Sequence, residues 1–271
     1  MIPMSELPGT RVTALALIAV LAAGGALGAP PAPAALVAAG DRHYAARSRL
    51  TGTVWEAVPA EVEAALDSYR AALAADSANL DAGIGLMRTL EFKGSQESDA
   101  FPCQPVYAEA VRTGTSLEEA GAPPAHLSYW LAVSWGRWGE CHGRLKAARE
   151  GMADKVRKYA EKAIALDPGY QGAGPLIVLG RLHYEAPYIP LLLTWPSDKK
   201  AEACLRRALG LFPDNKNAAL FLAELLQHDG RRDEAVAVLQ AALAYPVDPV
   251  RGLEDSRLAG RMRALLATLT H

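Results

Sequence analysis

Cysteine and histidine are the side chains best able to carry chemistry in this 271-residue chain, and their spacing does not assemble them into a site. Cys141 and His142 are adjacent, yet the other histidines are scattered at 43, 126, 183, 228 and 271. A zinc site draws its ligands from close-spaced pairs, and no second pair is present, so neither a metal nor any other cofactor is expected. No Gly-rich phosphate loop, Gly-x-Ser-x-Gly elbow or His-Glu-x-x-His motif occurs. Paired carboxylates such as Glu118 and Glu119 fall at a loop edge, where solvation explains them. The chain does not read as an enzyme.

Aromatic residues give a second candidate chemistry, that of contact. Tyr129, Trp130, Trp135 and Trp138 fall within ten residues, with Leu131, Trp135 and Trp138 on one helical face at i, i+4 and i+7. Two uses are open to them: core packing between large helices, or a groove in which rigid rings anchor a peptide or an apolar ligand. Trp130 points off the shared face and is the residue expected to leave an aromatic surface outside.

The elements that must position these residues are helices. Ala, Leu, Arg, Glu and Lys dominate after residue 60 while Val, Ile and Thr are sparse, which favours helix and leaves almost no expected β-structure. Ala201, Leu205 and Ala208 are echoed 34 residues later by Ala235, Leu239 and Ala242. A unit of that length cannot bury its apolar face alone and must stack on a neighbour, as helical hairpins do. Hairpin helices are expected over 36–44 and 60–75, then 80–92, 104–117 and 124–140. Residues 51–59 read as a long connection. A stripe of Leu258, Met262, Leu265, Leu266 and Leu269 predicts a C-terminal capping helix.

These positions resemble the tetratricopeptide repeat, and residues 156–247 match best. Ala201, Leu205, Ala208, Pro213, Leu222, Ala223, Leu226, Gly230, Ala235, Leu239 and Ala242 carry the likeness. The resemblance implies an all-α, tetratricopeptide-type helical-hairpin solenoid with an irregular middle hairpin. Ser77 and Val247 stand where Pro is usual in that family. Pro168 and Pro213 lie 45 residues apart, 11 more than the repeat, and the surplus falls at 185–197. Tyr188, Leu192 and Trp195 there either cover core or form a lip for a partner.

Arg11 precedes an apolar stretch, Val12 to Gly28, followed by a proline-rich junction over 29–35. This reads as a signal peptide over 1–28, cleaved on export, with a retained anchor as the alternative; 36–271 is then the helical domain. Thirty acidic and 28 basic side chains leave a charge of −2, so no nucleic-acid partner is expected. In an exported chain Cys103 and Cys141, at the same end of an antiparallel hairpin, are expected to pair. Closing that 38-residue loop would stabilise the fold by about 4 kcal/mol in the chain-entropy view. Cys204 is left over as a packed thiol.

A narrower resemblance rests on Tyr129-Trp-Leu-Ala-x3-Gly136-x-Trp138, Asp167-Pro-x-Tyr170-x-Gly172, Leu179-Gly-x3-Tyr184 and Glu254. These look like the periplasmic T-component of tripartite ATP-independent periplasmic (TRAP) transporters. The resemblance implies a periplasmic accessory that binds a solute-binding protein, can self-associate, and can hold an apolar small ligand in a central opening. That opening would be lined by Tyr129, Trp130, Trp135, Trp138, Tyr188, Leu192 and Trp195. No lipobox cysteine follows the apolar stretch. A general periplasmic scaffold for envelope assembly, binding extended peptides on the concave helices, is the other reading.

Overall fold

The computed structural model describes residues 31–96, 104–142, 151–187, 189, 191 and 193–270. The expected signal peptide and Cys103, Tyr188 and Leu192 therefore lie outside the described residues. The described chain folds into eleven helices and one small hairpin. Helices α1 (Pro33–Ala45) and α2 (Pro59–Ala75) flank strands β1 (Ser48–Thr51) and β2 (Val54–Ala57). Then come α3 (Leu80–Gln96), α4 (Gln104–Glu119), α5 (Pro124–His142), α6 (Met152–Leu166), α7 (Tyr170–Glu185), α8 (Asp198–Leu211), α9 (Lys216–His228), α10 (Arg232–Leu243) and α11 (Gly252–Thr270). No helix among the described residues is long and apolar enough to cross a membrane.

Local signals set most boundaries. Asn79 and Asn215 accept backbone N–H bonds from Ala82 and Ala218 at 2.9 and 3.0 Å, capping α3 and α9. Gly230, at φ +75°, ends α9 with the Arg231 N–H returning to the Leu226 carbonyl at 2.8 Å. The connection expected over 51–59 is instead an antiparallel hairpin, Leu50 opposite Trp55 and Thr51 opposite Val54. Gly52, at φ +63°, supplies the turn that the β-branched residues beside it cannot.

Successive helices pair as α1/α2, α3/α4, α5/α6, α7/α8 and α9/α10. First helices of neighbouring hairpins also pack on one another, α1 on α3 on α5 on α7 on α9, whereas the second helices spread apart. That difference curves the stack, with the first helices inside. All six residues of the 34-residue echo are at most 2% exposed, so the repeat marks the core face. Tyr69 of α2 wedges between Gly40 of α1 and Gly85 of α3, where any Cβ would strike its ring, and its hydroxyl donates to Asp41 at 2.7 Å.

The stack closes on itself. Arg47, just past α1 and 3% exposed, donates to Glu254 of α11 at 2.8 Å and to the Val250 carbonyl at 2.9 Å. Its guanidinium lies 4.2 Å over the Tyr44 ring and 5.2 Å from that of Phe92. Trp55 of β2 fits against Gly252, where a Cβ would collide with the indole. The helix α11 does cap the last hairpin, burying Leu258, Met262 and Leu269. It also carries Asp255, which pairs with buried Lys216 at 3.2 Å.

The extra residues before α8 divide in role. Leu193 is 3% exposed and pairs with Ile189 in a β-bridge, while Leu191 projects fully into solvent at φ +68°. Trp195 donates to Asp154 of α6 at 2.9 Å, lies under Arg157 and meets the buried His183 ring edge-on. Trp195 thus ties the chain entering α8 to α6 and α7.

Two outcomes follow from these contacts. Arg47→Ala, by stranding Glu254, is expected to lower unfolding free energy by about 3 kcal/mol, read from the urea midpoint at unchanged slope. Burial first, then Lys200 and Arg157, hold the His183 imidazole below its ordinary 6.5. The unfolded chain therefore takes up a proton that the folded one resists, so stability falls as pH drops below about 6.5; His183→Gln is expected to flatten that slope in urea titrations run from pH 7.5 to 5.

Candidate functional site: an aromatic trough between α4 and α6

Helix α5 is buried on nearly every side in its first half, where Leu127, Ser128, Trp130, Leu131, Ala132 and Ser134 all lie inside. Toward its C-terminus it emerges between the second helices that flank it. Trp135 and Trp138 are half-buried there, ring centroids 5.9 Å apart and edge-on, and His142 stacks on Trp138 at 3.6 Å. Trp135 and Trp138, with Ala108, Val111 and Arg112 of α4 and Met152 and Lys155 of α6, line an open trough of about 500 Å³; of these, Val111 and Met152 are themselves buried. The Lys155 ammonium lies 4.1 Å from the Trp135 ring.

This corrects the expected placement of Trp130. Trp130, expected outside, is 5% exposed and donates to the Tyr170 hydroxyl at 3.2 Å. Tyr129 packs beside it against Tyr170 and Gly174, and burial pushes its hydroxyl pKa well up. Trp135 and Trp138, on the presumed core face, form the open surface. Depth along α5, not angle around it, decides exposure, because several helices surround its first half. Trp195 is not part of the trough; it docks farther along on Asp154 and Arg157. Tyr129, Trp130 and Trp195 are not among the residues that line the trough.

The inner face is occupied by its own charges. Arg137 of α5 pairs with Glu91 of α3 at 3.0 Å and with Glu140 at 3.1 Å; Arg181 of α7 pairs with Glu140 at 3.4 Å and Glu185 at 2.9 Å. Burial opposes the charge on Arg137, and Glu91 and Glu140 outweigh it, so its pKa moves up. Arg181 also lies 4.7 Å over Phe221 of α9. Four first helices are tied by this one ladder.

Of the cysteines, Cys204 is free, and burial pushes its thiol up, which makes it a poor nucleophile. Cys141 is disulfide-bonded; Cys103, expected as its partner, lies outside the described residues. The fold does gather one donor set that the linear spacing missed. Asp198, His228 and Asp229 place ligand atoms within 4.8 Å of one another, all exposed. His228 and Asp229 are adjacent, but Asp198 arrives from the other end of a hairpin step, which no sequence pattern marks.

Residues 199–253 match the tetratricopeptide repeat family model. No curated protein matches this sequence. Among solved structures, a thermophilic tetratricopeptide protein of Thermus thermophilus shares 23% identity over 87% of this chain and 100% of its own, with a TM-score of 0.60. YrrB, a tetratricopeptide protein with an unusual peptide-binding site, shares 18% identity over 76% and 85%, TM-score 0.43. The MamA protein shares 16% over 78% and 90%, TM-score 0.44. The repeat signature of residues 199–253, together with the stacked hairpins that precede it, makes this chain a tetratricopeptide-type helical solenoid.

Proposed function

We propose that this chain is an exported, non-enzymatic accessory that docks a protein partner through the α4–α6 trough, and that the partner is the solute-binding protein of a TRAP-type transporter. The observation that carries the docking reading is the trough itself. Two half-buried indoles line an open surface in a fold that buries Trp130 and packs Tyr129 against it as core. Aromatic residues at such positions supply contact area at low entropic cost.

The transporter assignment is supported by the segment around Tyr170 and Gly172 that carries the narrower resemblance. Gln171, Gly172 and Ala173 adopt left-handed φ of 51°, 66° and 63°, and Asn215 holds the Gly172 carbonyl at 2.8 Å. Two non-glycine residues held there cost about 1–2 kcal/mol each, and the turn sets Tyr170 under His126 and Trp130. Export is supported by the leader-like stretch before Gly28 and by the disulfide at Cys141, which suits an oxidising compartment. An apolar ligand in a central opening fits less well, because the inner ladder and Trp130 fill the ground it would need. The scaffold reading with peptides on the concave helices meets the same ladder.

Expression of the full chain in a Gram-negative host followed by N-terminal sequencing is expected to find it in the periplasm, starting near Ala29. Mixed with the solute-binding protein of a TRAP transporter from its own source, the mature chain is expected to co-elute on size exclusion. A cytosolic chain with an intact leader, or two separate peaks at tens of micromolar, would contradict the proposal.

A further inference from the structure

The gaps between successive second helices are closed in a regular way, and the trough is the departure from it. Between α2 and α4, Arg70 meets Glu109 at 2.8 Å. Between α8 and α10, Arg231 meets Glu202 at 2.8 Å and Arg206 meets Glu234 at 3.0 Å. Just before α8, Trp195 docks on α6 through its hydrogen bond to Asp154 and on α7 through the His183 ring. Even α4 and α6 are joined along their C-terminal halves, where the Tyr159 hydroxyl donates to Glu118 at 2.6 Å and Lys162 lies 3.6 Å from the same carboxylate. Along their N-terminal halves the pattern breaks. The wall residues are Arg112 on α4 and Lys155 on α6, two cations, and neither has a carboxylate within ion-pairing distance among the described residues.

Like charges on facing walls do not close a gap by pairing, so among the described residues this half of the gap holds no ion pair and leaves Trp135 and Trp138 half-buried, with the Lys155 ammonium 4.1 Å from the Trp135 ring. Filling it requires a group that is apolar toward Trp135 and Trp138 and anionic toward Arg112 and Lys155. Resting on the reading of the chain as a docking accessory, we infer that the α4–α6 trough receives an acidic, apolar segment of the partner protein. A carboxylate from that segment takes the place held by Glu109 or Glu202 in the neighbouring gaps, and Leu or Phe side chains beside it cover the indoles. The site lies on the outer, second-helix side, so the inner charge ladder need not be broken for it to fill.

The assignment is tested with a fluorescein-labelled dodecapeptide alternating Glu with Leu and Phe, its counterpart with Lys for Glu, and sodium laurate as a competing small carboxylate. Anisotropy with the full mature chain is expected to show the acidic peptide bound at least tenfold more tightly than the basic one. Arg112→Glu, which offers Lys155 a partner across the gap, is expected to weaken the acidic peptide at least tenfold. The double variant Arg112→Glu with Lys155→Glu is expected to reverse the preference toward the basic peptide. Circular dichroism checks that both variants fold; the two residues lie at an open surface, and neither forms an ion pair that the fold needs. Equal binding of the two peptides, affinity unchanged in Arg112→Glu, or Arg112-dependent binding of laurate with no acidic-peptide binding would each overturn the inference. A solute-binding-protein complex that survives Arg112→Glu unweakened would also overturn it while leaving the accessory reading intact.

Discussion

A buried cation, Arg47, ties the first hairpin of the fold to its last helix. Arg47 sits between the Tyr44 and Phe92 rings and reaches across 207 positions of sequence to Glu254. An open solenoid is free to flex along its length, since each repeat touches only its neighbours. Here the β-hairpin after α1 and the first turn of α11 are clamped together, and the curvature of the whole stack is fixed with them. A buried charge stripped of its partner costs several kcal/mol, so the contact enforces closure more strongly than its length alone suggests.

Closure explains where the polar groups go. Drawing the first helices together places Glu91, Arg137, Glu140 and Arg181 near enough to satisfy one another, and the inner face becomes a self-paired ladder. The second helices, on the longer outer arc, are left with gaps. Two of those gaps, α2/α4 and α8/α10, are bridged by opposite charges, and Trp195 ties the chain entering α8 to α6. The α4–α6 gap is bridged at Glu118 in its C-terminal half and carries cations on both walls in its N-terminal half, beside the half-buried Trp135 and Trp138. Sign of charge at two positions, 112 and 155, is what sets the proposed docking surface apart from the paired gaps beside it.

Much of the frame was legible before any coordinates. The 34-residue echo marked residues that are at most 2% exposed, and the helices expected over 60–75 and 80–92 fall inside α2 and α3, because such signals act within a few residues of backbone. The hairpin over 48–57 was harder: Thr51-Gly-Thr-Val is a fair turn signal, but it is short against a helical background. Trp130 was misplaced for a deeper reason. A helical wheel assumes one buried side, whereas α5 is enclosed over its first half and exposed at its end, so Trp130 went inside and Trp135 came out. Arg112 and Lys155 carried no sequence signal, since their meaning comes only from facing each other across a gap.

The central claim is that a closed solenoid turns its inner charges on itself and offers an outer trough to a protein partner. Hydrogen–deuterium exchange of the mature chain with and without a solute-binding protein tests it most directly. The account predicts added protection in 105–113, 135–142 and 152–158, with the inner helices α3, α7 and α9 unchanged. Protection confined to α3, α7 and α9, with the trough segments exchanging as in the free chain, would contradict it.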